Sequence, residues 1–322
     1  MTTEIFPLKR EGEITSENSF LTYLFKMDKK LLHGTHTALI TPMQDGQVNF
    51  ADLSKLIDRQ LVSGVSGIVP CGTTGESPTL TEKEHLQVIQ ETINQAAGKV
   101  PIIAGTGANS TIEAINLTKK ADSLGADAFL LVAPYYNKPS QEGLVAHFST
   151  LAEVTEKPIV LYSIPSRCGI EISTSTVLKL RENYPNICSL KEAGGKSTKV
   201  SETVCALDDD FVVLSGDDGL TLPFMACGAK GVISVASNIM PGIVSQLVAL
   251  AAEAKFEEAR KLHLKYYKFF TDLFCEPNPV PVKNLMHLKG LISSAEVRLP
   301  LSPPSPANFL LLEEMSANVN FL

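Results

Sequence analysis

A mostly apolar run, Ile187-Cys188-Ser189-Leu190, delivers one lysine, Lys191, and then breaks into Ala193-Gly194-Gly195. That is how a buried strand presents a single cation at the lip of a sheet. Burial strips water from an ammonium group and favours the neutral amine, pulling the pKa below its free value of about 10.4. A neutral amine condenses with a ketone to a Schiff base, and the protonated imine is an electron sink for carbon–carbon chemistry. Taken alone, Lys191 reads more readily as a surface lysine paired with Glu192 or a helix C-terminus. Its company decides the matter.

That company lies in loops following other strand-like runs. Gly72-Thr73-Thr74-Gly75-Glu76-Ser77 offers backbone N–H groups and hydroxyls in a small concavity suited to a carboxylate or phosphate. No Lys-Ser/Thr follows it, so it is not a P-loop, and Gly105-Thr106-Gly107 lacks the third glycine of a dinucleotide fingerprint. The phenol of Tyr162 could share a mouth with Lys191 and move protons through Thr73. Arg167, five residues on, carries a planar fork for a carboxylate. Each has a plainer explanation: a buried tyrosine satisfying a hydrogen bond, an arginine in a surface ion pair.

The elements that must position these residues repeat regularly. Short β-branched or apolar runs at 35–40, 67–71, 100–104, 128–133, 158–162, 187–191, 211–215 and 231–235 alternate with amphipathic stretches. Thr81-x-x-Glu84 and Ser110-x-x-Glu113 read as capping boxes, and Ser140 and Ser173 as single caps. Phe50, Leu53, Ile57 and Leu61 recur at helical spacing, giving one face to lay on a sheet. Eight strand-then-helix units imply an α/β fold, a parallel sheet closed as a (β/α)8 TIM barrel, with a doubly wound open sheet as the alternative. Barrel chemistry lies at the C-terminal ends of the strands, where all these loops fall. We divide the chain into a tail at 1–30, the barrel at 31–252 and a C-terminal helical segment at 253–322 with Pro-rich joints, packed on the barrel.

With 322 residues and 44% hydrophobic composition, the chain can bury a large core. The balance of 28 basic to 35 acidic residues, net charge -7, without a dense basic run, argues against nucleic acid and anionic membranes as partners. The six cysteines show no C-x-x-C pair and no metal-ligand spacing with histidine, so a metal site is not expected and a reducing cytoplasm is. No apolar run approaches a membrane span.

Taken in order, Gly72-Thr-Thr-Gly-Glu-Ser, Pro134-Tyr-Tyr-Asn, Leu161-Tyr162 with Pro165-Ser-Arg167, Leu190-Lys191-Glu-Ala and Glu276-Pro-Asn-Pro-Val-Pro-Val-Lys283 resemble the dihydrodipicolinate synthase family of pyruvate-dependent class I aldolases, over residues 33–300. The resemblance implies a lyase condensing pyruvate with aspartate semialdehyde on the route to diaminopimelate and lysine, with no cofactor beyond the covalent imine. It implies that Lys191 forms the imine, that Tyr162 is the general acid/base, that Thr73 relays the proton, and that Tyr136 completes the relay from a neighbouring subunit. Thr74 would hold the pyruvate carboxylate, Arg167 the carboxylate of the aldehyde, and Gly216 and Ile233 would line the site through their backbones. It further implies a homotetramer of two tight dimers and feedback inhibition by lysine, with Ser77, His85, Asn109, Glu113 and Tyr135 at the positions that bind lysine in regulated members. Ser163 stands where the family usually has asparagine, which implies altered hydrogen bonding at the mouth. Two other readings stay open: a sister aldolase acting on N-acetylneuraminate or 2-keto-3-deoxygluconate, and a catalytically idle barrel that binds pyruvate or lysine.

Overall fold

Every expected strand forms, within two or three residues of its sequence bounds. The computed structural model describes residues 29–318, so the expectation for the tail falls almost wholly outside the described residues. The barrel strands are β1 (Gly34–Ala38), β2 (Gly67–Val69), β3 (Ile103–Gly105), β4 (Ala128–Val132), β5 (Ile159–Ser163), β6 (Ile187–Glu192), β7 (Val212–Ser215) and β8 (Gly231–Ser234). They pair in parallel in the order β2-β1-β8-β7-β6-β5-β4-β3, and a parallel bridge between Ile68 and Ile102 joins the two ends into a ring. The open-sheet alternative is thereby removed. A two-residue hairpin, Met43–Gln44 with Gln47–Val48, follows β1.

Helices α1 (Phe50–Val62), α2 (Glu82–Ala96), α3 (Thr111–Leu124), α4 (Gln141–Ala152), α5 (Thr174–Asn183), α6 (Ser197–Ala206), α7 (Thr221–Ala226) and α8 (Pro241–Ala252) follow the eight strands in turn. Burying one face of each against the sheet fixes them, as α1 shows: Leu53, Leu56 and Ile57 are buried while Phe50 and Leu61 pack at the edge. Thr81 and Glu84 close a capping box on α2. Ser110 caps α3 by accepting from the Glu113 N–H, but the Glu113 side chain does not close the box and is exposed. Ser140 and Ser173 cap α4 and α5 as expected.

Two apolar layers result. One lies between strands and helices; the other fills the barrel with Ala38, Val69, Ile103, Leu130, Val160, Tyr162, Leu214 and Ile233. Leu32, fully buried just before β1, belongs to the inner layer and closes the barrel's lower end. Beyond the barrel come α9 (Phe256–Asp272), α10 (Val280–Leu288) and α11 (Pro306–Asn318). The stretch after α10 returns to the barrel: Arg298 donates to both Glu84 carboxylate oxygens and to the carbonyls of Thr79 and Gly46. No helix among the described residues is long and apolar enough to cross a membrane. None of the six cysteines, all among the described residues, forms a disulfide.

Candidate active site

Lys191 faces into the barrel because β6 carries a bulge. Side chains alternate along a strand, so residues three apart should face opposite ways. Yet Cys188 lies in the inner layer and Ile187 and Leu190 in the outer one, while the pairing of β5 with β6 slips after Ile159–Ile187 so that Val160 meets Ser189. The extra residue resets the count and turns Lys191 inward beside Tyr162, its partner in the register.

There the Lys191 ammonium nitrogen lies 4.1 Å from the centre of the Tyr162 ring, and the side chain is only 6% exposed. Burial lowers the Lys191 pKa to about 7; Asp218 opposes that fall and Arg167 adds to it. At neutral pH much of the lysine is therefore free amine, which is the nucleophilic form. Burial also pushes the Tyr162 phenol up to about 12, against the pull of Arg167 and a hydrogen bond with the Thr73 side chain. The phenol thus stays protonated at neutral pH and can donate. Gly216 lets the lysine through: a β-carbon there would stand 3.0 Å from the Lys191 Cε and 2.7 Å from the Ala193 Cβ. Ile233 lines the barrel interior on β8.

On the Tyr162 side of the lysine opens a cavity of about 220 Å³, walled by Thr73, Tyr162, Arg167, Ser77, Tyr135, Leu130 and Val132 among others. Its polar rim comes from the loop after β2. That loop is drawn tight by hydrogen bonds from the Gly75, Glu76 and Ser77 N–H groups to the carbonyls of Gly72 and Thr73. The Thr74 hydroxyl, nearly buried, accepts from the Asn278 side-chain amide at 3.0 Å, which leaves its own proton free to donate. Arg167, exposed on the one-turn helix Pro165–Cys168, donates to the Asn278 carbonyl at 3.3 Å.

Of the expected catalytic and substrate-binding residues, Thr73, Tyr162 and Arg167 line the cavity wall; Lys191 sits against Tyr162 and Thr74 against Asn278 without lining it, and Tyr136 stands apart from all of them. Its ring is 90% exposed and its backbone is left-handed at φ 74°, so the loop holds the side chain out from the surface. Of the expected lysine-binding residues, Ser77 and Tyr135 line the cavity wall, and the Tyr135 hydroxyl bonds the Asn109 backbone. His85 is buried, with its Nε2 donating to the Gly105 carbonyl at 2.7 Å, and Glu113 stands exposed at the start of α3. Ser163 corrects an expectation. It points away from the cavity, where its hydroxyl accepts from the Ile172 N–H, so the loss of asparagine there does not reach the mouth.

Two residues gained no role from the sequence. Asp218 is buried, accepts from the Ser234 hydroxyl and from the Val235 and Ala236 N–H groups, and supplies negative charge toward Lys191. Burial raises its pKa to about 6, so it is mostly ionised at neutral pH. Asn278 is the other. Asn278 lies inside a quoted motif, and the signal available for Asp218 was an aspartate pair, Asp217-Asp218, just past a barrel strand.

A family model described as "Dihydrodipicolinate synthetase family" matches residues 31–314. The chain belongs to this family. A 4-hydroxy-tetrahydrodipicolinate synthase from Sulfurihydrogenibium sp. is 50% identical over 285 residues, 88% of this chain and 97% of the relative. Among solved structures, the dihydrodipicolinate synthase of Acinetobacter baumannii complexed with pyruvate is 44% identical with a TM-score of 0.86, covering 89% of this chain and 99% of that one. The enzyme of Cyanidioschyzon merolae with lysine bound is 38% identical, also with a TM-score of 0.86, covering 89% and 98%.

Proposed function

We propose that the chain is a Schiff-base lyase that condenses pyruvate with L-aspartate 4-semialdehyde to 4-hydroxy-tetrahydrodipicolinate. The observation that carries this is the buried Lys191 under the Tyr162 ring, in a chain half identical to synthases of that name. The Lys191 amine attacks the pyruvate ketone, and the carbinolamine loses water as Tyr162 donates a proton that Thr73 helps to return. The resulting iminium carries its charge toward Asp218 and makes the pyruvate methyl acidic. Loss of that proton gives an enamine, which attacks the aldehyde carbon. The adduct's own amino group then displaces Lys191 as the ring closes, so the electron sink is supplied by the chain and the substrate together.

In this reading Thr74 binds the pyruvate carboxylate with the proton that its bond from Asn278 leaves free, and Arg167 binds the second substrate's carboxylate at the entrance. Gly216 and Ile233 shape the floor. Tyr136, projecting from the surface, completes the relay of an adjacent copy, so the working unit is at least a dimer and in this family's manner a tetramer of dimers. Lysine binds beside Tyr135, with Ser77, His85, Asn109 and Glu113 around it, and inhibits.

The test is pyruvate consumption by the purified protein with and without aspartate semialdehyde, followed by borohydride trapping. Aldehyde-dependent consumption, with trapped pyruvate on Lys191 and none in Lys191→Ala, is expected. Trapping together with turnover of a different aldehyde alone would overturn the substrate, and no trapping would overturn the nucleophile.

A further inference from the structure

Glu76 and Lys283 lie in two of the sequence motifs, and no step of the proposed reaction uses either. Far apart in sequence, they meet in the interior: the Lys283 ammonium lies 2.6 Å from one Glu76 carboxylate oxygen, with side-chain exposures of 0% and 1%. The same ammonium donates to the Thr41 carbonyl at 3.0 Å, and the other Glu76 oxygen accepts from the Arg298 N–H at 3.0 Å. Every charge in the cluster is therefore paired.

An ion pair buried this deeply costs both partners their hydration, and well-packed apolar side chains of similar size fill such space at least as stably. Stability alone does not account for it. What the pair does possess is fixed, short geometry at a demanding place. Glu76 follows Thr73, Thr74 and Gly75 directly and sits at φ 56°, a left-handed conformation that side-chain-bearing residues seldom hold without support. Thr41, whose carbonyl Lys283 binds, sends its hydroxyl to the Gly75 carbonyl at 2.7 Å. The far end of the pair lies on α10, one turn beyond Asn278, which holds Thr74 through its amide and Arg167 through its carbonyl.

We propose that the Glu76–Lys283 pair is a positioning device for the active site: it fixes the Thr73–Thr74 loop to α10 so that both hydroxyls and Arg167 are set from one segment. This rests on the function proposed above. The pair touches no substrate and acts through the threonines.

The experiment compares wild type, Glu76→Gln, Lys283→Met and the double variant by thermal midpoint, by KM for pyruvate and kcat, and by the rate and pH profile of borohydride trapping. Lys283→Met leaves a carboxylate unpaired in the interior and should melt earlier, whereas the neutral double variant regains most of that loss. The double variant should nevertheless keep a pyruvate KM raised about tenfold and trapping slowed by a similar factor, because a displaced binding hydroxyl is not restored by removing charge. The midpoint of the trapping pH profile, which belongs to Lys191, should not move. Wild-type KM and trapping in a double variant that folds would reduce the pair to a structural role and overturn the proposal. If both Lys283 variants fail to fold, Glu76→Gln, which keeps side-chain length and an acceptor but removes the counter-charge of Lys283 and so melts earlier, decides: an unchanged pyruvate KM and trapping rate in the folded variant refute, a raised KM with slowed trapping and an unmoved pH midpoint supports. Absence of trapping in wild type would instead overturn the reaction itself, and the positioning role with it.

Discussion

Lys191 is held in a state that the folded chain tolerates at a cost. Its pKa is lowered to about 7 in the protein, while in the unfolded chain it is near 10.4. Below pH 7 the native state carries a desolvated charge and the full penalty applies; between about pH 7 and 10.4 the unfolded chain binds more protons, so stability climbs with pH and the penalty disappears. Lys191→Met should therefore raise the unfolding free energy at neutral pH by on the order of a few kcal/mol, read as a higher thermal midpoint, with little gain above about pH 10.5, and should abolish trapping. In the wild type, the trapping rate should rise as pH increases through about 7, following the free amine. Lys191, Tyr162 and Thr73 could be named from the sequence because their loops share one end of the barrel and the ordered motifs around them resemble one family; the apolar run ending in a lysine would not by itself have sufficed. Asp218 could not be ranked above Asp217 beside it. Only the fold shows that one of the two is gripped by the start of the segment after β8.

The bulge in β6 is the least legible element. In a strand buried on both faces, apolar residues occupy both, so no alternation remains in Ile187-Cys188-Ser189-Leu190 to betray a slip. The strands themselves were legible through their turn signals, and the caps through Ser and Thr at helix starts. Ser110 was only half so, since whether Glu113 reaches back depends on a side-chain rotamer that spacing does not set. The parity of β6 makes the backbone around it unforgiving. A methyl at Gly216 would crowd the Lys191 Cε and the Ala193 Cβ. Gly216→Ala should slow pyruvate trapping by about tenfold or more while costing only about 1–2 kcal/mol of stability, measured by denaturant unfolding on the same preparation. A trapping rate at the wild-type level would show that the lysine has room to spare.

At the scale of the whole molecule, the exposed Tyr136 carries the proposal of a shared site. If it serves the neighbouring site, Lys191→Ala and Tyr136→Phe proteins, each nearly inactive, should recover activity when mixed, dissociated and reassembled. A hybrid dimer then holds one complete site, and random pairing predicts about a quarter of wild-type activity. No recovery in hybrids shown to have formed would confine Tyr136 to its own chain. The rhythm of strand and helix made the barrel legible, whereas the ties of the C-terminal segment were not: contacts such as Asn278 with Thr74 span 204 positions and leave no periodic trace. Those ties also impose an order in time. A ribosome adding roughly 5–20 residues per second exposes Thr74, Tyr162 and Lys191 seconds before it reaches Asn278 and Lys283. The nascent chain thus carries Lys191 early and the residues that hold Thr74 and Arg167 late, so a chain interrupted between them has the lysine but not the ties that organise its surroundings.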